Sequence, residues 1–351
     1  MGFGLELLQD HLVRIVRGAS DHDVLNTAYN AIQETLIYFE CRPPVNKEGD
    51  DVGFRADLRQ NPFWTMLTAE EHETAAPCLT SKFFVTINKF PAWTGPLYTQ
   101  GKGTFRRWLQ TWCKHLIRQA GGETLPIFQA CQGLFTHDLR VALFVLPYLV
   151  LNVISSRDSQ PLEQVAAEIK AVLSDTGEDD SSEGRSELAA QAVFNLMDHL
   201  TKSLDDSRRA GVREANGSSD AASSSPSLGS WSFSSENVSR LAKLLESIPH
   251  LLLARASMRC GAAQRALLYF ESHVRSSGSC FNPAAGTQAS YVDEDLSFLG
   301  SIYRALEEPD AVVGLERLRR ARAVDDVVYQ LEEAGEWEDA LSFHEQRTAG
   351  E

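Results

Sequence analysis

The chain has 351 residues, of which 33 are lysine or arginine and 48 are aspartate or glutamate, so its formal net charge at pH 7 is −15. A surface with this balance is poorly suited to nucleic-acid phosphates, so the composition disfavours direct binding of DNA or RNA. The N-terminus lacks the pattern of a secretory signal, and the six cysteines show no C-x-x-C spacing, which together indicate an intracellular protein in a reducing compartment.

Apolar residues recur at three- and four-residue steps through the first half of the chain, which predicts a series of amphipathic helices. Asp21 or Asp23 is expected to cap the second helix, and Thr104 the third. Phe83–Asn88 is the only short strand candidate, and residues 45–60 are predicted to form an exposed loop. The predicted helices cover residues 5–16, 24–39, 104–118, 125–154, 162–173 and 188–204.

The most apolar run, Val141–Ile154, is too short to span a bilayer and is interrupted by Asn152. We interpret it as a buried helix that is kinked or ended near Pro147, because proline cannot donate the helical hydrogen bond. The sequence therefore predicts no membrane contact.

Two low-complexity stretches, 174–187 and 203–236, are rich in serine and contain little that could form a core, so we predict that both are disordered. They divide the chain into a HEAT-like helical region over 1–204, a disordered serine-rich linker over 205–237, and a second helical region over 238–351.

The second helical region contains three predicted helical pairs. Two share a spaced motif of Gly, Ala, Leu, an aromatic residue and Glu, which begins at Gly261 and at Gly335. The small residue of each motif, Ala266 or Ala340, is expected to allow close helix contact, with the aromatic residue three positions later beside it. The pairs are Pro249–Arg259 with Ala262–Arg275, Leu296–Glu307 with Asp310–Arg320, and Val324–Glu333 with Glu336–Gln346.

The middle pair keeps only part of the motif, with Pro309 at the Gly position, Gly314 at the Ala position and Leu315 at the Leu position. The predicted fold is therefore all-α: an α-solenoid of HEAT-like and then TPR-like helical pairs, with disordered loops.

Four local patterns suggest chemistry, and each lacks a feature that the chemistry requires. Residues 96–104 approach a phosphate-binding loop, but Gly103 stands where the loop needs a hydroxyl. His137 and Asp138 are adjacent and have no nucleophile beside them. Asp21-His22-Asp23 and Cys113-Lys114-His115 lack the spacing of metal ligands on one helix face. We predict no catalytic, cofactor-binding or metal-binding residue in this chain.

Several blocks, taken in order, resemble the phosphatidylinositol-3-kinase-related protein kinases. The last of them resemble the beginning of that family's FAT domain, an array of TPR-like helical pairs. The blocks include Ala28–Arg42, Pro77–Lys82, Pro96–Trp112, Leu146–Val153, Ala167–Leu173, Ala192–Thr201, Ala254–Ser257, Arg265–Ser272, Leu299–Tyr303 and Glu308–Gly314.

The resemblance implies a noncatalytic segment of a nuclear serine/threonine kinase that responds to DNA damage and replication stress. ATP and Mg²⁺ would bind only in a kinase domain beyond this sequence. The implied partners are a regulatory subunit, a homodimer partner and the rest of the kinase, with no direct contact to nucleic acid or membrane. Two alternatives stay open: an unrelated TPR or HEAT adaptor that binds proteins, and an enzyme in its own right.

Overall fold

The computed structural model divides into two units, Met1–Ile248 and Pro249–Glu351. Every element of regular secondary structure in the described part of the chain is helical, which confirms the predicted all-α fold. The structure describes residues 2–44, 58–84, 95–100, 103–155, 160–176, 185–215, 235–276, 293–318 and 324–350.

The first unit begins with α1 and α2, which a π-helical turn over Leu7–Leu12 joins into one run. The Asp21 carboxylate accepts from the Asp23 N–H at the start of α3, and the Thr104 hydroxyl accepts from Arg107 at the start of α8, so both predicted caps are confirmed. The helices are α1 Gly2–Glu6, α2 Val13–Gly18, α3 His22–Tyr38, α4 Pro62–Thr65, α5 Ala69–Ala75, α6 Pro77–Thr80, α7 Leu97–Gln100, α8 Phe105–Gln119, α9 Leu125–Cys131, α10 Leu139–Ser155, α11 Gln160–Ser174, α12 Arg185–Ala215 and α13 Ser235–Glu246.

Helix α10 lies at the centre of this unit and contacts α8, α9, α11, α12 and α13. It does not end at Pro147. The missing N–H leaves the carbonyl of Leu143 without its helical donor, and Leu143 and Pro147 are both only partly buried. In the described part of the chain, no helix is both long and apolar enough to cross a bilayer.

The predicted disordered linker is partly wrong, because α12 continues to Ala215 instead of ending near Leu204. Arginine, alanine and glutamate favour helix in this extension, and the Arg209 guanidinium forms an ion pair with Asp206 at 3.3 Å. Residues 216–234 of the predicted linker lie outside the described residues.

The boundary between the two units also differs from the predicted one after residue 237. Helix α13 buries Leu241 and Leu244 and packs against α10, α11 and α12, so it belongs to the first unit. Apolar periodicity predicted the helix itself and carried no information about which neighbour would cover it.

The strand predicted over Phe83–Asn88 is absent at Phe83 and Phe84, and the rest of it, like most of the predicted loop at 45–60, lies outside the described residues. The Gln33 side-chain amide binds both backbone groups of Phe83: it accepts from the Phe83 N–H at 2.9 Å and donates to the Phe83 carbonyl at 3.1 Å. A helix side chain therefore takes the place of a neighbouring strand.

The second unit contains the three predicted helical pairs. Each pair turns through a residue in the left-handed region, with φ of 68° at Gly261, 59° at Glu307 and 79° at Gly335. The next N–H then reaches a carbonyl five residues back, as in a Schellman turn, at 2.9–3.0 Å. The helices are α14 His250–Arg259, α15 Ala263–Ser276, α16 Asp293–Ala305, α17 Pro309–Leu318, α18 Val324–Ala334 and α19 Trp337–Gly350.

The predicted motif register of the middle pair is wrong by two residues. Glu307, not Pro309, occupies the left-handed position, and Pro309 is the first residue of α17, where its missing N–H has no cost. Five residues after Glu307 comes Val312, which is buried, whereas a Cβ added to Gly314 would meet nothing within 4 Å. The turn, rather than residue similarity, fixes this register.

The aromatic position of the motif also needs correction. Ala254 of α14 and Ala266 of α15 are fully buried in one cluster, which agrees with close helix contact. The ring that is fully buried in this cluster is Phe270, four residues after Ala266, while Tyr269 is only partly buried. Residues four apart lie closer to the same helix face than residues three apart.

We predict that Glu307→Gly raises the free energy of unfolding by about 0.5–1 kcal/mol, because the left-handed conformation strains a residue with a Cβ and the Glu307 side chain is exposed. Gly261→Ala and Gly335→Ala should each lower it by about 1 kcal/mol. Equilibrium urea unfolding measures all three variants. A destabilised Glu307→Gly chain would contradict the turn assignment.

We predict that Ala266→Leu lowers the free energy of unfolding by about 1–3 kcal/mol through overpacking, and that Ala340→Leu acts in the same direction. Ala305→Leu is the control, since Ala305 is exposed on α16 and its added methyl groups meet no core. Thermal unfolding that is unchanged at both buried positions would refute the close helix contact.

Candidate functional site

A fully buried carboxylate, Glu168 of α11, joins three helices of the first unit. It accepts hydrogen bonds from the backbone N–H groups of Leu97 and Tyr98 at 2.6 and 2.9 Å, at the start of α7. It also accepts from the indole Nε1 of Trp108 in α8 at 2.6 Å. A buried charge is tolerated only when its oxygens are satisfied, and here both oxygens are.

Tyr98 extends this arrangement to α12. The Arg185 guanidinium donates to the Tyr98 carbonyl at 2.7 Å and lies 4.3 Å from the centre of the Tyr98 ring. The Tyr98 hydroxyl donates to the Asp175 carboxylate. We refer to Glu168, Tyr98, Trp108, Asp175 and Arg185 as the Glu168 cluster.

The electrostatics of the Glu168 cluster are dominated by burial. Desolvation raises the pKa of Glu168, although hydrogen bonds from Trp108, Leu97 and Tyr98 and the charge of Arg185 oppose the shift. Desolvation, with the Asp175 carboxylate, also raises the pKa of Tyr98. With three donors already on its oxygens, Glu168 is arranged to hold helices together and not to exchange a proton with a substrate.

A cavity of about 380 Å³ adjoins the Glu168 cluster. Its lining includes two guanidinium groups, from Arg107 of α8 and Arg185 of α12, together with Gln100, Trp108 and Thr111. The cavity therefore has both positively charged and hydrogen-bonding side chains in its lining, and such a lining suits an anionic ligand.

The loop that approached a phosphate-binding pattern is placed next to this cluster. The N–H groups of Leu97 and Tyr98, which begin α7, already donate to Glu168, so the chain's own carboxylate fills the position that a phosphate would take. Thr104 acts as a helix cap, and residues 101–102 lie outside the described residues.

The other chemical patterns are separated from the Glu168 cluster and from one another. Asp138 accepts from Arg14 and from the Arg140 N–H, and not from the adjacent His137. Cys113 is buried in α8, where desolvation raises the pKa of its thiol and its Sγ donates to the Ala142 carbonyl. Among the residues that the structure describes, no group of three or more His, Cys, Asp or Glu side chains could hold a metal ion.

Sequence reasoning did not select Glu168, although a signal was available. Val165, Ile169 and Val172 form the buried stripe of α11, and Glu168 falls within that stripe by helical spacing. A carboxylate on an apolar face requires a buried partner. The partners themselves come from positions 60–71 residues away in sequence and could not be read from that spacing.

We predict that Glu168→Gln lowers the free energy of unfolding by about 1–3 kcal/mol, since the amide NH₂ would face one of three N–H donors. Burial raises the pKa of Glu168 above its ordinary 4.5, so the folded chain binds this proton more tightly than the unfolded chain. Stability from this group is present below pH 4.5 and is lost as pH rises through the folded-state pKa.

Urea unfolding across this pH range provides the measurement. The native chain should lose stability relative to Glu168→Gln as the pH rises above 4.5. Glu163→Gln, an exposed position of the same helix, serves as the control. Equal stabilities of the Glu168 and Glu163 variants would contradict the structural role of Glu168.

Comparison with known proteins gives a consistent set of relatives. The model for the M-HEAT region of serine/threonine-protein kinase ATR matches residues 92–331. Serine/threonine-protein kinase ATR of Oryza sativa subsp. indica is 36% identical over 355 residues, which cover 97% of this chain and 13% of the rice protein. The Arabidopsis thaliana protein of the same name is 32% identical over 97% of this chain and 14% of its own length. Protein kinase rad3 of Schizosaccharomyces pombe is 27% identical over 80% of this chain and 12% of its own length.

The stacked helical pairs and these matches define a helical-repeat protein of the HEAT solenoid class. The chain belongs to the ATR family of serine/threonine-protein kinases, and its residues 92–331 correspond to the M-HEAT region of that family. It spans about one eighth of the length of the rice relative. The M-HEAT match continues through residues 238–331, where we expected a FAT domain to begin, and that expectation stays a prediction.

Proposed function

We propose that this chain is a noncatalytic scaffold segment of an ATR-like serine/threonine kinase that acts in the DNA damage and replication checkpoint. The observation that carries the proposal is the M-HEAT match over residues 92–331, together with relatives that are named as kinases. Family membership also removes the alternative of an unrelated adaptor.

In this proposal the chain performs no phosphoryl transfer itself. That reaction needs a glycine-rich loop, a strand lysine and two metal-binding or catalytic side chains, and the sequence contains none of these motifs. ATP and Mg²⁺ would bind in a kinase domain outside this sequence. Both oxygens of the buried Glu168 carboxylate already accept hydrogen bonds from the chain itself. This supports a structural role for Glu168.

The proposed partners are proteins: an ATR-interacting regulatory subunit, a homodimer partner and the rest of the kinase. The proposed location is the nucleus, where a checkpoint kinase meets damaged DNA. The net charge of −15 supports sensing of DNA through partner proteins and not by this chain directly. The helical pairs after residue 238 are proposed to lead into a FAT domain with TPR-like packing.

We predict that the purified chain neither hydrolyses ATP nor transfers its phosphate to a protein substrate in the presence of Mg²⁺, because the sequence contains no complete nucleotide-binding motif and the described residues include no group of metal-binding side chains. A radiolabelled ATP assay measures both reactions against a buffer blank. Turnover that follows the chain through successive purification steps would support the enzyme alternative and contradict the proposal.

Sequencing of the complete transcript tests the kinase assignment separately. We expect an open reading frame that continues into a kinase catalytic loop and a metal-binding aspartate motif. A reading frame that ends without a kinase motif would contradict the proposed parent protein, and would leave the packing of the helical pairs unaffected.

A further inference from the structure

The cavity beside the Glu168 cluster carries two guanidinium groups that come from different helices. Arg107 belongs to the first turn of α8, and Arg185 is the first residue of α12. The cavity measures about 380 Å³, and all of its lining residues belong to the first unit. A guanidinium group presents a planar fork of N–H donors that matches the oxygens of a phosphate or a carboxylate. Two such groups on one cavity therefore point to an anionic ligand.

Arg185 is fixed in place before any ligand arrives. Its Nη2 donates to the Tyr98 carbonyl at 2.7 Å, and the guanidinium group lies 4.3 Å from the centre of the Tyr98 ring. The Glu168 carboxylate is nearby, but its oxygens accept from Trp108 and from two backbone N–H groups. Within the described ranges Arg185 forms no ion pair, so its positive charge remains available at the cavity wall.

Arg107 is the second cation of the cavity, and its side chain is exposed. Its backbone N–H donates to the Thr104 hydroxyl, whereas its guanidinium group has no hydrogen bond or ion pair with any residue that the structure describes. The stem of the side chain lies against Gly103, since a Cβ added to Gly103 would be 3.5 Å from the Arg107 Cδ. Arg107 can therefore turn its charge to a ligand, while Arg185 is already held.

The helices that supply these two cations add to the positive potential of the cavity. Helix α8 has 15 residues and helix α12 has 31, and each reaches the cavity through its N-terminal turn. The N-terminus of a helix carries a partial positive charge that stabilises an anion close to it. Gln100 and Thr111 add hydrogen-bonding side chains to the lining, and Leu97 and Trp108 add apolar surface. The cavity can therefore hold both an anion and a short uncharged group attached to it.

We infer that this cavity binds a phosphate monoester, with the phosphate between Arg107 and Arg185 and its carrier against Leu97 and Trp108. Two cations suit a phosphate better than a carboxylate, because a phosphate monoester carries a charge of about −1.5 to −2 at pH 7.

The volume of the cavity, about 380 Å³, lies in the range of small-molecule sites, so a carrier fits beside the phosphate. A phosphorylated side chain of a partner protein and a small phosphorylated molecule share this chemistry. The inference goes beyond the proposed scaffold role, because it assigns a class of ligand to this segment.

A ³¹P NMR titration of two phosphate monoesters with the purified chain tests the inference. The probes are phosphoserine with both backbone ends blocked, which stands for a protein source, and glycerol 3-phosphate, which stands for a small-molecule source. We expect saturable binding of at least one probe with a dissociation constant of about 1 mM or below. Either order of affinity supports the inference, and the tighter probe identifies the source. Absence of saturable binding of both probes up to about 10 mM would overturn it.

The decisive variant is Arg107→Glu, which should weaken binding of the tighter probe by about tenfold or more. The matched control is Arg208→Glu, which makes the same change in net charge at an exposed position of α12, about 35 Å along that helix from Arg185. The control should leave the affinity within about twofold. Circular dichroism checks that both chains are folded.

Arg107→Lys provides a milder second variant. It keeps the charge and loses the planar fork, so we expect binding to weaken about threefold. An affinity that is unchanged in Arg107→Glu, or that falls equally in Arg208→Glu, would overturn the inference.

Three competitors test the choice of a phosphate monoester. Aspartate with both backbone ends blocked and dimethyl phosphate each carry one negative charge, so each should displace the tighter probe at least about fivefold more weakly than the unlabelled probe compound does. Equal displacement by either would overturn the choice of a doubly charged ligand. A single strand of about 20 nucleotides that binds more tightly than both monoesters, and loses binding in Arg107→Glu, would overturn the inference in favour of nucleic acid.

Discussion

The first unit depends on a carboxylate that has no access to solvent. Glu168 is stable in that position only while the N–H groups of Leu97, Tyr98 and Trp108 reach it, and this requirement fixes α7 and α8 against α11. Through Tyr98 it also positions Arg185 at the start of α12. Leu97, Trp108 and Arg185 also line the adjoining cavity, so the residues that satisfy or surround Glu168 form part of the cavity wall.

The second unit is governed by a different constraint, the reversal of direction between paired helices. Each reversal uses one left-handed residue followed by a hydrogen bond to a carbonyl five residues back. Glycine meets this need at Gly261 and Gly335, and the middle pair meets it with Glu307 at a cost in backbone strain. The three pairs therefore share one turn geometry although the residues of their motifs differ.

Both constraints concern how helices pack, and neither involves a reacting group. A solenoid buries the apolar faces of its pairs against neighbours and leaves long surfaces for partners. The chain belongs to the ATR family and matches its M-HEAT region over residues 92–331. In the described part of the chain, the oxygens of the buried Glu168 carboxylate are satisfied by the chain's own N–H groups, which agrees with the scaffold role proposed above.

The sequence by itself determined the longer helices, while the short helices α4–α7 were not predicted. The 3.6-residue period of apolar residues predicted these longer helices and the three final pairs, and the residue types before two helices predicted the caps at Asp21 and Thr104. The ordered blocks indicated the kinase family. All of these signals are local or follow the order of the chain. Tertiary structure alone decided the left-handed turn at Glu307, the packing of α13 in the first unit and the partners of Glu168. Each of these depends on contacts or backbone conformations that side-chain periodicity does not encode, and the bonds to Glu168 join residues 60–71 positions apart.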